Sequence, residues 1–255
     1  MTNLLLTLLF VFLPLSGTDI DPRLIMERSY NLKKPMTSIM DIEIEIIRKK
    51  GKKEKVKIRE FTRYQKLYDS GKYLSKTMAR FTKPKIIKGT GLLTWVGRSG
   101  KTHQWVFLPK LKTPKKIKAK EKSKSFLNTD FIYEDLENRN PLLDSLSYLG
   151  SDFINGEQCA VVMAWPKNNS NYHSRKIWTN NSTWQVCKIE FYKKESVLDK
   201  TLILSEFIIV DEYTTPTRME MRKANGSKTV MKIQSFQPGI GLNEEIFSKS
   251  HLTKI

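Results

Sequence analysis

Little in this chain points to reaction chemistry. Its 255 residues include only two cysteines, Cys159 and Cys187. Its three histidines, His103, His173 and His251, stand far apart and in no metal-binding spacing. Serine, histidine and aspartate are present, but no Gly-x-Ser-x-Gly elbow is. No catalytic residue, metal site or cofactor is therefore assigned. No βαβ rhythm appears, which argues against a parallel sheet. No internal repeat and no linker rich in Pro, Gly or Ser breaks the chain, so residues 18–255 read as one domain.

One apolar run stands out, residues 4–15 (LLLTLLFVFLPL), and it is too short to span a bilayer comfortably. Ser16 and Gly17 follow, then Thr18 and Asp19. That order fits a secretory signal peptide over residues 1–17. No lysine or arginine precedes the run, so an uncleaved N-terminal anchor stays open as the alternative. No cysteine follows it, which argues against an acylated lipoprotein of the usual kind.

The formal charge is +19, and none of it lies in residues 1–17. Such a balance suits acidic headgroups, acidic proteins or nucleic acid. Lysines far outnumber arginines, whereas readers of bases and phosphate forks need arginine. With export, this argues against a nucleic-acid partner. A solvated lysine surface is the plainer alternative. In an exported protein two cysteines permit one disulfide. Here a strand at 175–179 separates them, and neighbouring strands lie about 4.8 Å apart. Two unpaired, buried thiols are the expectation.

What the chain does have is alternation. Asp21-Pro22 caps a helix running to about Leu32, and Pro35 ends it. Residues 41–46 (DIEIEI) alternate as a strand with one wet face. A lysine turn with Gly51 leads into a returning strand through Val56, Ile58 and 61–64. Further strands read at 73–81, 91–96, 104–108, 146–154, 157–165, 175–179, 185–192, 201–210, 218–223 and 229–236. Asn155-Gly156 is a strong hairpin signal. A short helical piece is expected near 134–143. The fold class is mainly β, with ten to twelve strands in a long antiparallel meander. A sheet that long must curl, split or close.

Alternation places Ile42, Ile44 and Ile46 on one face, with Val56 and Ile58, Cys187, Ile189 and Phe191, Met219 and Met221, and Met231 and Ile233. Aromatic side chains Trp95, Trp105, Phe107, Phe126, Phe131 and Tyr133 concentrate in residues 80–136. An ordinary filled core accounts for such a face, and so does an acyl-chain cavity. Flexible methionines suit chains of varied shape. Ile44, Ile46, Ile58, Trp95, Trp105, Phe107, Phe126, Phe131, Tyr133, Ile189, Phe191, Met219, Met221, Met231 and Ile233 are the candidate lining.

Residues 80–136 also carry an ordered set of short motifs. These are Arg80-Phe81 with Pro84, the run 88–95 (KGTGLLTW), the run 104–109 (QWVFLP), Ser125-Phe126, Asp130-Phe131 and Tyr133-Glu134-Asp135-Leu136. In order and spacing this segment resembles the outer-membrane lipoprotein-sorting family, the LolA-like carriers of the bacterial periplasm. The likeness extends more weakly over most of residues 18–255. Two departures are Asn128, where a glycine is common, and a basic turn (Arg98, Lys101, His103), where acids are often found. The resemblance implies an unclosed β-barrel, a strongly curved antiparallel sheet with an N-terminal helix and a short lid helix, whose inner side receives acyl chains. It implies a non-enzymatic periplasmic carrier of a lipid or acylated lipoprotein. It also implies an inner-membrane donor, either a lipoprotein exporter or a resistance-nodulation-division transporter.

Two charged stretches complete the reading. Lys110, Lys112, Lys115, Lys116, Lys118, Lys120, Lys122 and Lys124 face one acid, Glu121. Such a run is commonly just solvated. As a docking element at the cavity rim, it would meet an anionic membrane surface or acidic partner at roughly 1 kcal/mol per lysine. Asp130, Glu134 and Asp135 could be an acid/base set, but they lack a nucleophile, and helix-start acids or a mobile flap explain them more simply. The alternative to a carrier is a basic, non-enzymatic module with a filled core that docks on an envelope protein or anionic surface.

Overall fold

Thirteen strands form, and a computed structural model describes them within residues 20–51, 53–137, 139–167 and 170–254. The expected signal segment, 1–17, lies outside the described residues. Strands β1 (Thr37–Lys50), β2 (Lys53–Leu67), β3 (Tyr73–Lys83), β4 (Gly91–Gly97), β5 (Thr102–Phe107) and β6 (Lys115–Lys116) make one antiparallel meander. Strands β7 (Ser145–Ile154), β8 (Glu157–Trp165), β9 (Ser174–Asn180), β10 (Val186–Lys194), β11 (Val197–Val210), β12 (Tyr213–Lys223) and β13 (Lys228–Pro238) make a second. The two join where β1 pairs with β13. The free edges are β6 and β7, which do not pair, so the sheet stays unclosed. The strand beyond the expected twelve is β6, two residues inside the lysine run, where alternation gives no signal.

The topology dictates what lies over the inner face. Residues 117–144 connect one free edge to the other, so they must cross the open side of the curved sheet. Tyr133–Leu136 and Pro141–Leu143 form 3-10 turns there, where a short helical piece is expected. Ser125 pairs with Ile132, folding the segment into a compact plug. At its tip Asn128 takes φ 60°, a left-handed conformation that asparagine tolerates better than most residues. That conformation explains how asparagine stands where glycine is common.

Helix α1 (Pro22–Tyr30) starts as the sequence dictates, with Asp21 accepting from the Arg23 amide at 2.8 Å. It ends two residues before the expected Leu32. Its Ile25 and Met26 pack on Ala160, Val162, Ala164 and Ile177, covering the inner face of β8 and β9. Helix α2 (Lys249–Thr253) belongs to a C-terminal segment lying on the outer face. In the β7–β8 hairpin Asn155 and Gly156 have φ 50° and 84°, both positive as a type I′ turn requires. Cys159 and Cys187 are buried free thiols on β8 and β10, packed with Val161 and Trp178.

Register carries the apolar face across the sheet. Ile42 sits opposite Ile233 and Phe61, Ile44 opposite Met231, and Met219 opposite Met231. The same register corrects one expectation. Ile44 faces Arg59 and Glu45 faces Ile58, so odd-numbered residues of β2 point inward. Val56 and Ile58 lie on the outer face and are exposed.

Candidate functional site

Two kinds of ground cover the inner face: a plugged end and a hollow. At the plugged end the plug inserts Ile117, Phe126, Phe131 and Tyr133 among Ile44, Ile46, Phe81, Phe191 and Met221. Buried charge fixes it in place. Asp130 accepts from Arg48 of β1 at 2.7 Å, and from Thr229 and Ser227 at 2.7 and 2.9 Å. Asp135 accepts from Lys200 of β11 at 2.5 Å and from the Tyr172 hydroxyl at 2.7 Å. Glu134 accepts from Arg175 of β9 at 2.6 Å and from the Asn171 amide at 2.7 Å. Lys200 is 1% exposed, so its ammonium depends on Asp135 for compensation.

The physical chemistry of Glu134 shows the strength of these latches. Burial pushes its pKa up, but hydrogen bonds from Ser170 and Asn171 and the Arg175 charge outweigh burial and hold it below the ordinary carboxylate value. For Lys200 burial dominates, and its pKa falls despite Asp135. The three carboxylates are thus anchors of the plug. Each is engaged by a cation from a different strand.

Away from the plug the inner face leaves a hollow of about 550 Å³. That lies within the roughly 300–1,000 Å³ common for small-molecule sites. Met40, Ile42, Phe61, Ala79 and Leu92 form one wall, and Leu202, Leu204, Met219, Met231 and Ile233 form another. Phe126, Phe131 and Leu136 of the plug close one end. Ser29 and Leu32, with the exposed Lys33 and Lys34, belong to the rim. One rung of the wall is polar: Ser38, Gln65, Thr77 and Thr94 face one another across β1 to β4. Arg63 is on the adjoining rung, between Met40 and Ala79.

The expected lining residues divide accordingly. Phe126, Phe131, Met219, Met231 and Ile233 line the hollow. Ile44, Tyr133, Ile189, Phe191 and Met221 belong to the same apolar cluster but pack beyond the hollow. Ile46 borders a smaller recess of about 250 Å³ at the plugged end, with Arg48, Lys55, Lys57, Arg59 and Asn128. Trp95, Trp105 and Phe107 are elsewhere. They pack on the outer face with Met78, Leu93, Phe247 and Leu252, and the Trp95 indole donates to the Phe247 carbonyl at 2.9 Å. Strands β4 and β5 are covered on both faces, so both of their faces are apolar and alternation does not tell them apart. Ile58 is exposed on the outer face.

None of the eight loop lysines is among the residues lining the hollow. Their segment is folded rather than a free run. Glu121 gathers it, accepting from Lys115 at 2.7 Å, from the Lys118 amide at 3.1 Å and from Lys124 at 3.4 Å. Lys122 is half-buried against Glu137 at 2.5 Å. Lys110, Lys112, Lys116, Lys118 and Lys120 are exposed, with no carboxylate within ion-pair distance among the described residues.

Residues missed in the sequence include Phe61, Leu202 and Leu204 of the walls, Arg63, and the anchors Arg48, Arg175 and Lys200. Phe61 carried a usable signal. It cannot share a face with Val56 and Ile58 in an uninterrupted strand. The anchors carried none, because each ion pair joins residues far apart in sequence. Among the described residues no group of three His, Cys, Asp or Glu could hold a metal ion, and no helix is long and apolar enough to cross a membrane.

A family model described as an uncharacterized protein matches residues 74–254. No curated protein matches. A crystal structure of a putative outer membrane lipoprotein-sorting protein domain from Vibrio parahaemolyticus is 25% identical, with TM-score 0.83 over 91% of this chain and 98% of that one. A DUF1329 family protein from Desulfovibrio piger is 24% identical, with TM-score 0.83 over 91% and 97%. A LolA superfamily protein from Nitrosomonas europaea is 21% identical, with TM-score 0.70 over 90% and 98%.

Proposed function

This chain belongs to the family whose model spans residues 74–254 and has the fold of LolA-like, outer-membrane lipoprotein-sorting proteins, and from that premise we propose that it is a non-enzymatic carrier of acyl chains. The observation that carries this reading is the apolar hollow of about 550 Å³ between the sheet and its latched plug. An acyl chain placed there is shielded from water and stabilised by about 0.8 kcal/mol for each buried methylene. Affinity of that kind needs no nucleotide and no covalent step. Release requires only an acceptor that binds the chain more tightly.

The carrier works in the periplasm, directed there by residues 1–17, and takes its cargo from an inner-membrane transporter. The cargo is a lipid or the acyl part of a lipoprotein. The exposed lysines of 110–120 support a second element of the proposal, reversible contact with an anionic membrane surface.

Native mass spectrometry of the protein purified from membrane-bearing cells tests the carrier. The expected result is a co-bound lipid mass, lost on delipidation and replaced by a fluorescent fatty acid. A protein that is free of lipid and ignores the fluorescent probe would leave only the basic docking module.

A further inference from the structure

Two cations that line the hollow lack a counterion among the described residues: Lys34, exposed at the rim and donating to the Tyr30 carbonyl, and Arg63, on the inner wall. Arg63 lines the hollow from β2, and its side chain donates to the Gln65 amide oxygen and contacts Met40 Sδ at 3.7 Å. No carboxylate lies within ion-pair distance of it among the described residues. The two carboxylates that also line the hollow are already engaged, Asp135 by Lys200 and Glu137 by Lys122, each at 2.5 Å. Arg48, Arg175 and Lys200 each meet an acid of the plug and Arg59 meets the plug's Leu127 carbonyl, whereas Arg63 has neither. Arg63 is half-buried, and a partly desolvated, unpaired charge is costly to keep unless something else compensates it.

We propose that Arg63 binds the carboxylate head of a single-chain fatty acid, whose tail lies along the apolar walls of the hollow. This rests on the carrier reading above and names its cargo class. The surroundings fit such a head. Next to Arg63 runs the polar rung of Ser38, Gln65, Thr77 and Thr94, which offers hydroxyl and amide groups to carboxylate oxygens. Past Arg63 in the other direction the rungs turn apolar, through Ile42 and Phe61 towards the plug. The hollow is therefore polar at one end and apolar along its length, as a fatty acid is. A planar guanidinium pairs with a carboxylate through two parallel hydrogen bonds. One cation matches one negative charge, which selects a carboxylate over a phosphate monoester. Burial lowers the pKa of Arg63 to about 10, which still leaves it charged at neutral pH.

The test is displacement of a fluorescent probe from the delipidated full chain by hexadecanoate, hexadecanol and hexadecyl phosphate. Wild type is expected to prefer hexadecanoate over hexadecanol by about ten- to a hundredfold, the worth of a charge-assisted hydrogen bond. Arg63→Gln is expected to erase that preference, chiefly by weakening hexadecanoate, and Arg63→Lys to keep part of it. An unchanged preference in a folded Arg63→Gln overturns the proposal. If Arg63→Gln fails to fold, full preference in Arg63→Lys counts against the paired hydrogen bonds. Tighter binding of hexadecyl phosphate than of hexadecanoate overturns the single-charge assignment. Failure of hexadecanol and hexadecanoate alike defeats the acyl-chain reading itself, an outcome distinct from loss of the preference alone.

Discussion

The two ends of the inner face use the same ingredients differently. At the plugged end, aromatic side chains from residues 117–137 fill the space between strands, and Asp130, Glu134 and Asp135 neutralise Arg48, Arg175 and Lys200. At the other end the strands still present an apolar face and an inward cation, Arg63, but no segment of the described chain fills the space, and the carboxylates that reach it, Asp135 and Glu137, are engaged by Lys200 and Lys122. Closure of a curved sheet's interior is thus a matter of what the crossing segment brings. Where it brings rings and acids, the interior becomes core. Where it stops short, the interior stays a hollow.

The largest expected effect lies in the latches. Asp135→Ala leaves Lys200 buried without its acid, which is predicted to cost about 3–5 kcal/mol in urea denaturation. Lys200→Met combined with Asp135→Leu should recover most of that loss, because a buried ion pair replaced by apolar groups is often neutral. If Asp135→Ala proves as stable as wild type, the plug is not held as described, and the contrast between the two ends disappears.

Overpacking sharpens the contrast from the other side. Ala164 is fully buried under α1, where the interior is filled. Ala164→Leu is expected to cost about 1–3 kcal/mol. Ala79 borders the hollow, so Ala79→Leu should leave the urea midpoint nearly unchanged while weakening fluorescent fatty-acid binding. Equal destabilisation by both changes would mean that the hollow is packed as tightly as the core.

Some of this could be read from the sequence and some could not. The inner faces of β1, β12 and β13 were legible because Ile42, Ile44 and Ile46, Met219 and Met221, and Met231 and Ile233 alternate without interruption. On β2 the same logic chose the wrong face, since Val56 and Ile58 are apolar yet exposed while Arg59 and Arg63 point inward. Trp95, Trp105 and Phe107 were misplaced for a different reason. The C-terminal segment gives β4 and β5 a second buried face, and nothing local to those strands announces it. The plug was visible as a cluster of aromatic and acidic residues, but its partners were not, because Arg48, Arg175 and Lys200 look like any other surface cations of a basic chain.

Acid should loosen the plug. The folded-state pKa of Glu134 is depressed, from an ordinary value of 4.5, by its hydrogen bonds and Arg175, which together outweigh burial. A depressed carboxyl contributes stability that is fully present above its unfolded pKa and lost as pH falls through its folded one. Wild type should therefore lose stability below pH 4.5 more steeply than Glu134→Gln, measured as urea midpoints across that range. Parallel pH profiles for the two proteins would show that Glu134 is not the acid-labile latch. Arg63 engages no acid among the described residues, so Arg63→Gln should leave the acid limb of the profile unaltered.

The smallest effect on the fold is expected where the chain is most basic. Lys110, Lys112, Lys116, Lys118 and Lys120 are exposed and, among the described residues, have no carboxylate within ion-pair distance. Replacing Lys112, Lys116 and Lys120 together by glutamine should change stability by only about 0.5 kcal/mol per site or less. Their part in docking is separable from their part in folding. Each lysine near an anionic surface contributes about 1 kcal/mol, so the triple change should weaken binding to phosphatidylglycerol vesicles strongly, and added salt should weaken the wild type in the same way. Uptake of a fluorescent fatty acid in solution should not change, because none of these lysines lines the hollow. Vesicle binding that survives the triple change would remove the lysine segment from the docking proposal and leave the hollow as the one feature behind the proposed carrier role.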